Sequence, residues 1–163
     1  MKNKKILALE SLRGIAALSV ALLHFNTGSY LNNSFTNNAW LMVDFFFVLS
    51  GFVIAFNYLD KISSLPDLLT FQKKRFWRLY PLHLITLFLF VFIEIAKYIV
   101  EIKYGLVGNN QAFSSNNFNS FLANIFLVQN ILVTNPTFNT VSWSISSEFY
   151  TYTLFALLLI RSS

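Results

Sequence analysis

Three side chains in apolar stretches of this sequence are candidates for moving protons: His24, Asp44 and Glu148. An imidazole beside a carboxylate is the pairing that general-base catalysis needs, because the carboxylate fixes the ring tautomer and stabilises the imidazolium. All three sit in strongly apolar stretches, where an ionisable group costs at least about 2.5–3.5 kcal/mol to keep at the centre of a bilayer. A second group is basic: Lys73, Lys74, Arg75 and Arg78 fall within a few residues of one another. Paired guanidinium forks are well shaped for phosphate. No metal site is expected, since cysteine is absent and the two histidines, His24 and His83, are too few for an all-histidine zinc centre.

Each of these residues also has a plainer reading. A histidine near a helix end can sit at the headgroup level. Asp44 can pair with a cation on another helix, and Glu148 can be a helix-start carboxylate favoured by the dipole, with Ser142 or Ser144 as the cap. On pattern alone, Ser50 and Gly51 are small residues for helix packing, Gly51 allowing another helix to approach closely. His83, two residues after Pro81, is expected at the inner interface. The basic run also serves as a topology signal that touches anionic lipid.

The elements that carry these residues follow from composition. Charged residues make up 12% of the 163, where a soluble domain shows about 25%. Hydrophobic residues reach 55%, with 19 phenylalanines. Disorder, collagen and disulfide scaffolds are excluded. Residues 14–31 lack Asp, Glu, Lys and Arg and read as a first membrane helix. A second runs from about Trp40 to Leu59, carrying Asp44. A third begins at Pro81, placed at a tolerated first-turn position, with Glu94 and Lys97 spaced to pair near its far end. Phe118–Thr134 is shorter and carries Asn124, Gln129 and Asn130, so it is expected to be interfacial or re-entrant. The last segment, Ser142–Ile160, opens polar and becomes continuously apolar. The expected architecture is an all-α polytopic bundle of about four transmembrane helices plus one interfacial or re-entrant segment.

Orientation follows from the basic residues, which cytoplasmic loops retain. Lys2, Lys4, Lys5 and Arg13 precede the first span, and Lys61, Lys73, Lys74, Arg75 and Arg78 lie between the second and third. The N-terminus is therefore expected inside, the loop near residues 26–39 outside, the loop 60–78 inside and the Asn/Ser-rich stretch 105–117 outside. With Phe118–Thr134 turning back, the last span places Arg161 in the cytoplasm. Arg13 then lies at the cytoplasmic rim, with His24 roughly 16 Å further along the helix axis. Asp44 and Glu148 are expected at comparable depth on the outer side. The N-terminus lacks the short apolar core and small-residue cleavage site of a secreted precursor, so the first span reads as a retained anchor. The net charge of +5 is mostly topogenic, and no nucleic-acid partner is expected.

At this point the residues resemble a known family. LESLRGIAALSVALLHF, with Arg13 and His24, is similar to the first-helix signature of the membrane acyltransferase family 3, the O-acetyltransferase-like proteins of bacterial envelopes. VDFFFVLSGFVIA, KKRFWRLYPLHL and WSISSEFY follow in the family's order. The resemblance implies an integral enzyme of the bacterial inner membrane, N-terminus cytoplasmic, that moves an acyl group to a hydroxyl of a saccharide or similar acceptor. Acetyl-CoA or another acyl-CoA is the implied co-substrate, with no permanently bound cofactor. His24 matches the family's essential histidine, the implied base, with Arg13 in the same motif. Arg75 and Arg78 match its Arg-x-x-Arg pair at the donor entrance. Ser50, Gly51 and Phe52 match its Ser-Gly-Phe motif, and Trp143, Ser144 and Glu148 its Trp-Ser motif. Asp44 and Glu148 each orient His24 or bind the acceptor. Where the family often has two successive acidic residues, this chain has Ser147, Glu148 and Phe149, so Glu148 is the single carboxylate there. Family domains are considerably longer, so residues 1–163 are expected to be the N-terminal portion of such a domain, truncated at the C-terminus. Two other readings stay open: a transporter or channel subunit using Asp44, Glu148 and His24 as a proton or ion relay, and an inactive truncated remnant.

Overall fold

The computed structural model describes residues 7–24, 34, 38–133, 135 and 137–162. The N-terminal lysines, most of the expected outer loop and the far end of the first expected span lie outside the described residues. The described residues are helical, without strands: α1 (Leu7–His24), α2 (Leu41–Tyr58), α3 (Leu65–Tyr104), α4 (Phe118–Ile125), α5 (Gln129–Leu132), a 3₁₀ turn (Thr140–Ser142) and α6 (Trp143–Ser162). Among them, α2 and α3 are long and apolar enough to cross a membrane. The apolar part of α1 within the described residues, Ser11–Leu23, is shorter. Four spans are therefore not established. The chain divides into two compact units, residues 1–61 and 62–163.

In the first unit α1 packs on α2. Small side chains at Ala16 and Ser19 are buried on α1, and Leu49, Ser50 and Ile54 on α2. Small residues at such a seam let backbones approach and allow side-chain hydrogen bonds to form between helices. Here the Arg13 guanidinium donates to the Ser50 hydroxyl at 3.0 Å. Ser50 is thus a hydrogen-bond acceptor as well as a packing residue. Gly51 does not admit a neighbouring helix among the described residues: nothing lies within 4 Å of where its Cβ would stand.

In the second unit α3 is the spine. Its 40 residues span roughly 60 Å, twice the thickness of a hydrocarbon core. Ser64 caps its start, accepting from the Asp67 N–H, while Pro66 sits in the first turn, where its missing N–H costs nothing. The Ser64 hydroxyl, first among its hydrogen-bond partners, holds the Asp67 carboxyl below its ordinary range. Gly105, at φ +64°, ends the helix in the left-handed conformation. Two expectations are corrected here. Pro81 lies inside α3 and not at a first turn, and the expected loop 60–78 is helical from Leu65 onward. One proline removes a single backbone hydrogen bond, and the turns on either side, anchored on other elements, carry the helix through.

Partners run antiparallel to this spine. Gln72 Nε2 donates to the Phe149 carbonyl at 3.2 Å and Thr153 Oγ1 at 2.6 Å, clasping α3 to α6. Farther along α3, Phe88 meets Phe121 of α4 edge to face at 6.1 Å. Outward positions such as Leu82, Ile85, Phe88 and Phe92 are exposed along one continuous apolar band, which suits lipid contact.

The segment expected to be re-entrant is a broken helix. Its two pieces, of eight and four residues, are too short to cross a bilayer singly. The break frees carbonyls, and side chains from both flanking helices receive them. His83 Nε2 meets the Asn124 carbonyl at 2.9 Å, Tyr80 Oη donates to Ile125 at 2.9 Å, Tyr150 Oη to Phe126 at 3.3 Å, and Ser146 Oγ to Leu127 at 2.5 Å. His83 is accordingly buried within the second unit, at 1% exposure. Its ring adds a side-chain partner to a carbonyl that also accepts from the Leu127 N–H at 3.2 Å.

Removing one of these donors should be costly. Ser146→Ala is expected to destabilise the chain by about 1–3 kcal/mol, the penalty of a buried unsatisfied carbonyl. Ser147→Ala, which removes an exposed bond from Asn130, is expected to change stability by less than about 0.5 kcal/mol. Unfolding midpoints of the two variants in the same non-ionic detergent test this difference.

Candidate functional site

The residues matched to the family's motifs fall in both units, and each unit is described by itself. In the first, Arg13 is half-buried on α1 and bonded to Ser50. His24 is the last residue of α1, and its side chain lies outside the described residues. Eleven residues separate it from Arg13, and at about 100° per residue that returns the backbone to within roughly 20° of the same stripe. Asp44 sits in the first turn of α2 and is exposed. Carboxylates are favoured there by the helix dipole. Phe52 is exposed and stacks on Phe56, with ring centroids 6.0 Å apart.

In the second unit two motifs meet through a residue that sequence reasoning missed. Arg75 lies against the rings of both Phe71 and Tyr152, its guanidinium carbon 5.5 Å from each centroid. Tyr152 in turn donates from Oη to Glu148 Oε1, one turn earlier on α6. Phe71 and Tyr152 are both buried and pack edge to face at 6.3 Å. A cation over an aromatic face is worth roughly 2 kcal/mol or more when desolvated. The Arg-x-x-Arg and Trp-Ser segments are thus joined as Arg75, Tyr152 and Glu148. The signal was present as a tyrosine four residues after Glu148, which helical spacing puts on the same face.

Arg78, one turn beyond Arg75, is exposed, as are Lys73 and Lys74. This end of α3 therefore presents three cations to its surroundings, a surface suited to phosphate. At the start of α6, Ser142 and Ser144 do not cap the helix through their hydroxyls as expected. Each donates to a carbonyl three residues back, of Asn139 at 2.7 Å and Val141 at 3.0 Å. Trp143 is partly exposed and lines a cleft of about 270 Å³ together with Gln129 and Asn130. Among the described residues, no cluster of three or more His, Cys, Asp or Glu could hold a metal ion.

The two halves of Tyr152's role are separable. Tyr152→Phe is expected to keep the ring against Arg75 but remove the donor to Glu148, costing about 1.5–3 kcal/mol, the usual value for a hydrogen bond to a charged group. Tyr152→Ala also removes the packing, and a further about 2 kcal/mol or more of destabilisation is expected. Equal unfolding midpoints for the two variants would show that the ring contributes nothing.

Comparison with known proteins gives this geometry its context. Residues 6–162 match the acyltransferase domain family, acyltransferase 3. The chain is 33% identical over 162 residues to the acyltransferase MdmB from Streptomyces mycarofaciens, a match covering 92% of this chain and 38% of that protein. It is 34% identical over 100 residues to protein 2 of the picA locus from Rhizobium radiobacter, covering 60% of this chain and 50% of that one. The matches thus span half or less of each relative's length. No solved structure matches. A family match running through all four motifs, over nearly every residue described, makes this chain a member of the acyltransferase 3 family.

Proposed function

We propose that the chain takes part in transfer of an acyl group, acetyl from acetyl-CoA in the first instance, to a hydroxyl of a cell-envelope saccharide or similar acceptor at the bacterial inner membrane. The family match over residues 6–162 is the observation that carries this reading. The N-terminus is cytoplasmic in this scheme, set by the excess of basic residues before α1 and along the first half of α3.

The chemistry assigns a role to each motif. His24 removes the proton from the acceptor hydroxyl as its oxygen attacks the thioester carbonyl. The tetrahedral adduct collapses to an ester, the carbon–sulfur bond breaks, and the departing CoA thiolate is protonated by the imidazolium. Glu148 or Asp44 orients the imidazole. Arg13, Arg75 and Arg78 serve the donor's phosphates. The exposure of Arg78 supports that assignment for it most directly, while Arg75, held against two rings, acts from a fixed position.

Within the full protein in membranes, His24→Ala is expected to abolish transfer of label from acetyl-CoA while leaving membrane insertion unchanged. Normal acylation by that variant would sink the assignment of His24 as base. Arg78→Ala is expected to raise the KM for acyl-CoA about tenfold with little change in kcat, as loss of uniform donor binding does. Substrate flux into liposomes without CoA release would instead favour a transport reading of the same residues.

A further inference from the structure

The cleft at the start of α6 lies outside the Arg75, Tyr152 and Glu148 cluster, and its lining is unusual for so apolar a chain. Its approximately 270 Å³ are walled by side-chain amides at Gln129, Asn130, Asn135 and Asn139, hydroxyls including Thr140, and the indole of Trp143. None of the described residues lining it is charged. A phosphate or carboxylate ligand would therefore meet no ion-pair partner among the described lining residues. A volume just under the usual about 300–1,000 Å³ of small-molecule sites leaves room for about one ring.

One wall holds an unmet acceptor. Gln129 is 6% exposed, and its Nε2 donates to the Ser142 carbonyl at 3.1 Å. That bond fixes the carboxamide. Its Oε1 is buried with no hydrogen-bond partner among the described residues. A buried acceptor left unmet is destabilising, and a hydroxyl donor reaching it from the cleft would relieve that cost. Trp143, 40% exposed, offers an apolar face on which the C–H side of a saturated ring can rest. Five residues separate Trp143 from Glu148, an axial rise of roughly 7–8 Å along α6. Asn130 Nδ2 ties the cleft to Ser147, the neighbour of Glu148, at 2.7 Å.

We propose that this cleft is the subsite that binds a neutral, hydroxyl-bearing ring of the acyl acceptor, with Gln129 Oε1 receiving a ring hydroxyl and Trp143 stacking on the ring face. The identity of that ring as the acceptor rests on the acyl-transfer reading above; the binding site itself does not. A site built to hydrogen-bond a hydroxyl rejects the analogue that lacks it, because its buried group is then left unpaired.

The test uses the full protein in lipid nanodiscs free of sugar-headed detergent, with methyl glucoside, methyl galactoside and methyl N-acetylglucosaminide as probes, read by saturation-transfer NMR. At least one probe is expected to bind saturably, and cyclohexyl methyl ether, which lacks hydroxyls, is not. Gln129→Leu and Trp143→Ala are each expected to weaken the bound glycoside tenfold or more, and Trp143→Phe to retain most of the binding. Helical circular dichroism and unfolding midpoints confirm that each variant is folded. Absence of saturable binding by all three glycosides, or equal binding by folded Gln129→Leu, overturns the proposal. The acyl-transfer reading is separated by a second measurement. Glycoside binding in a protein that transfers no label from acetyl-CoA removes the acceptor role and leaves the site. Intact transfer by Gln129→Leu with an unchanged acceptor KM overturns the assignment of this cleft to the acceptor and leaves the transfer.

Discussion

The second unit depends on how four consecutive carbonyls, Asn124 to Leu127, are satisfied where α4 ends inside the packed chain. An isolated helix end leaves such groups to water, and an apolar interior offers none. Here His83 and Tyr80 from α3 and Tyr150 and Ser146 from α6 supply side-chain partners, the Asn124 carbonyl accepting also from the Leu127 N–H and the Tyr150 bond lying at the surface. Donors must come from both flanking helices because the carbonyls fan out as the backbone leaves helical geometry. α3 and α6 are therefore locked in register through the break between them. Leu127, in the left-handed region at φ +56°, is the residue at which the chain turns. A bulky side chain there costs about 1–3 kcal/mol, and the Ser146 bond to its carbonyl helps hold it.

The same device recurs at a carboxylate. Glu94, buried on α3, accepts from Phe113 N at 2.9 Å, Asn116 Nδ2 at 2.8 Å and Lys97 Nζ at 3.0 Å. Asn116 then accepts from Phe138 N at 2.5 Å. Phe113 and Phe138 are the other described non-glycine residues at positive φ, +59° and +52°. Phe113 and Phe138 are thus each pinned through their own N–H to a side chain that is itself held. The chain of bonds from Glu94 through Asn116 ends beside Thr137 and Asn139, which wall the cleft. A charge buried in α3 consequently shapes a neutral site some forty residues away in sequence.

Local spacing made part of this readable. The pairing of Glu94 with Lys97 follows from an i, i+3 interval and is present at 3.0 Å. The three amides at Asn124, Gln129 and Asn130 marked a segment unlike a simple span, and that segment is broken. Other features were not accessible to periodicity. A proline reads as a boundary because locally it removes a hydrogen bond, yet tertiary contacts carry α3 past Pro81. Ser50 and Gly51 look alike as small residues, but one accepts from an arginine 37 positions away and the other faces open space. Partners so distant in sequence leave no local trace.

Tyr152 carries that point into the site. A carboxylate on one turn of a helix has several rotamers of similar energy, so α6 alone would leave Glu148 loosely placed. The phenol one turn along selects among them by donating to Oε1. Tyr152 is itself 5% exposed and held against Phe71 and Arg75 of α3. Two bonds from Gln72 to Phe149 and Thr153 fix the sliding of one helix on the other at the same level. A functional group is held well only when the residues supporting it are held in turn. The position of the Glu148 carboxylate is therefore a property of the α3–α6 contact, and changes on α3 that shift Phe71 or Gln72 act on that carboxylate through Tyr152 and the register of α6.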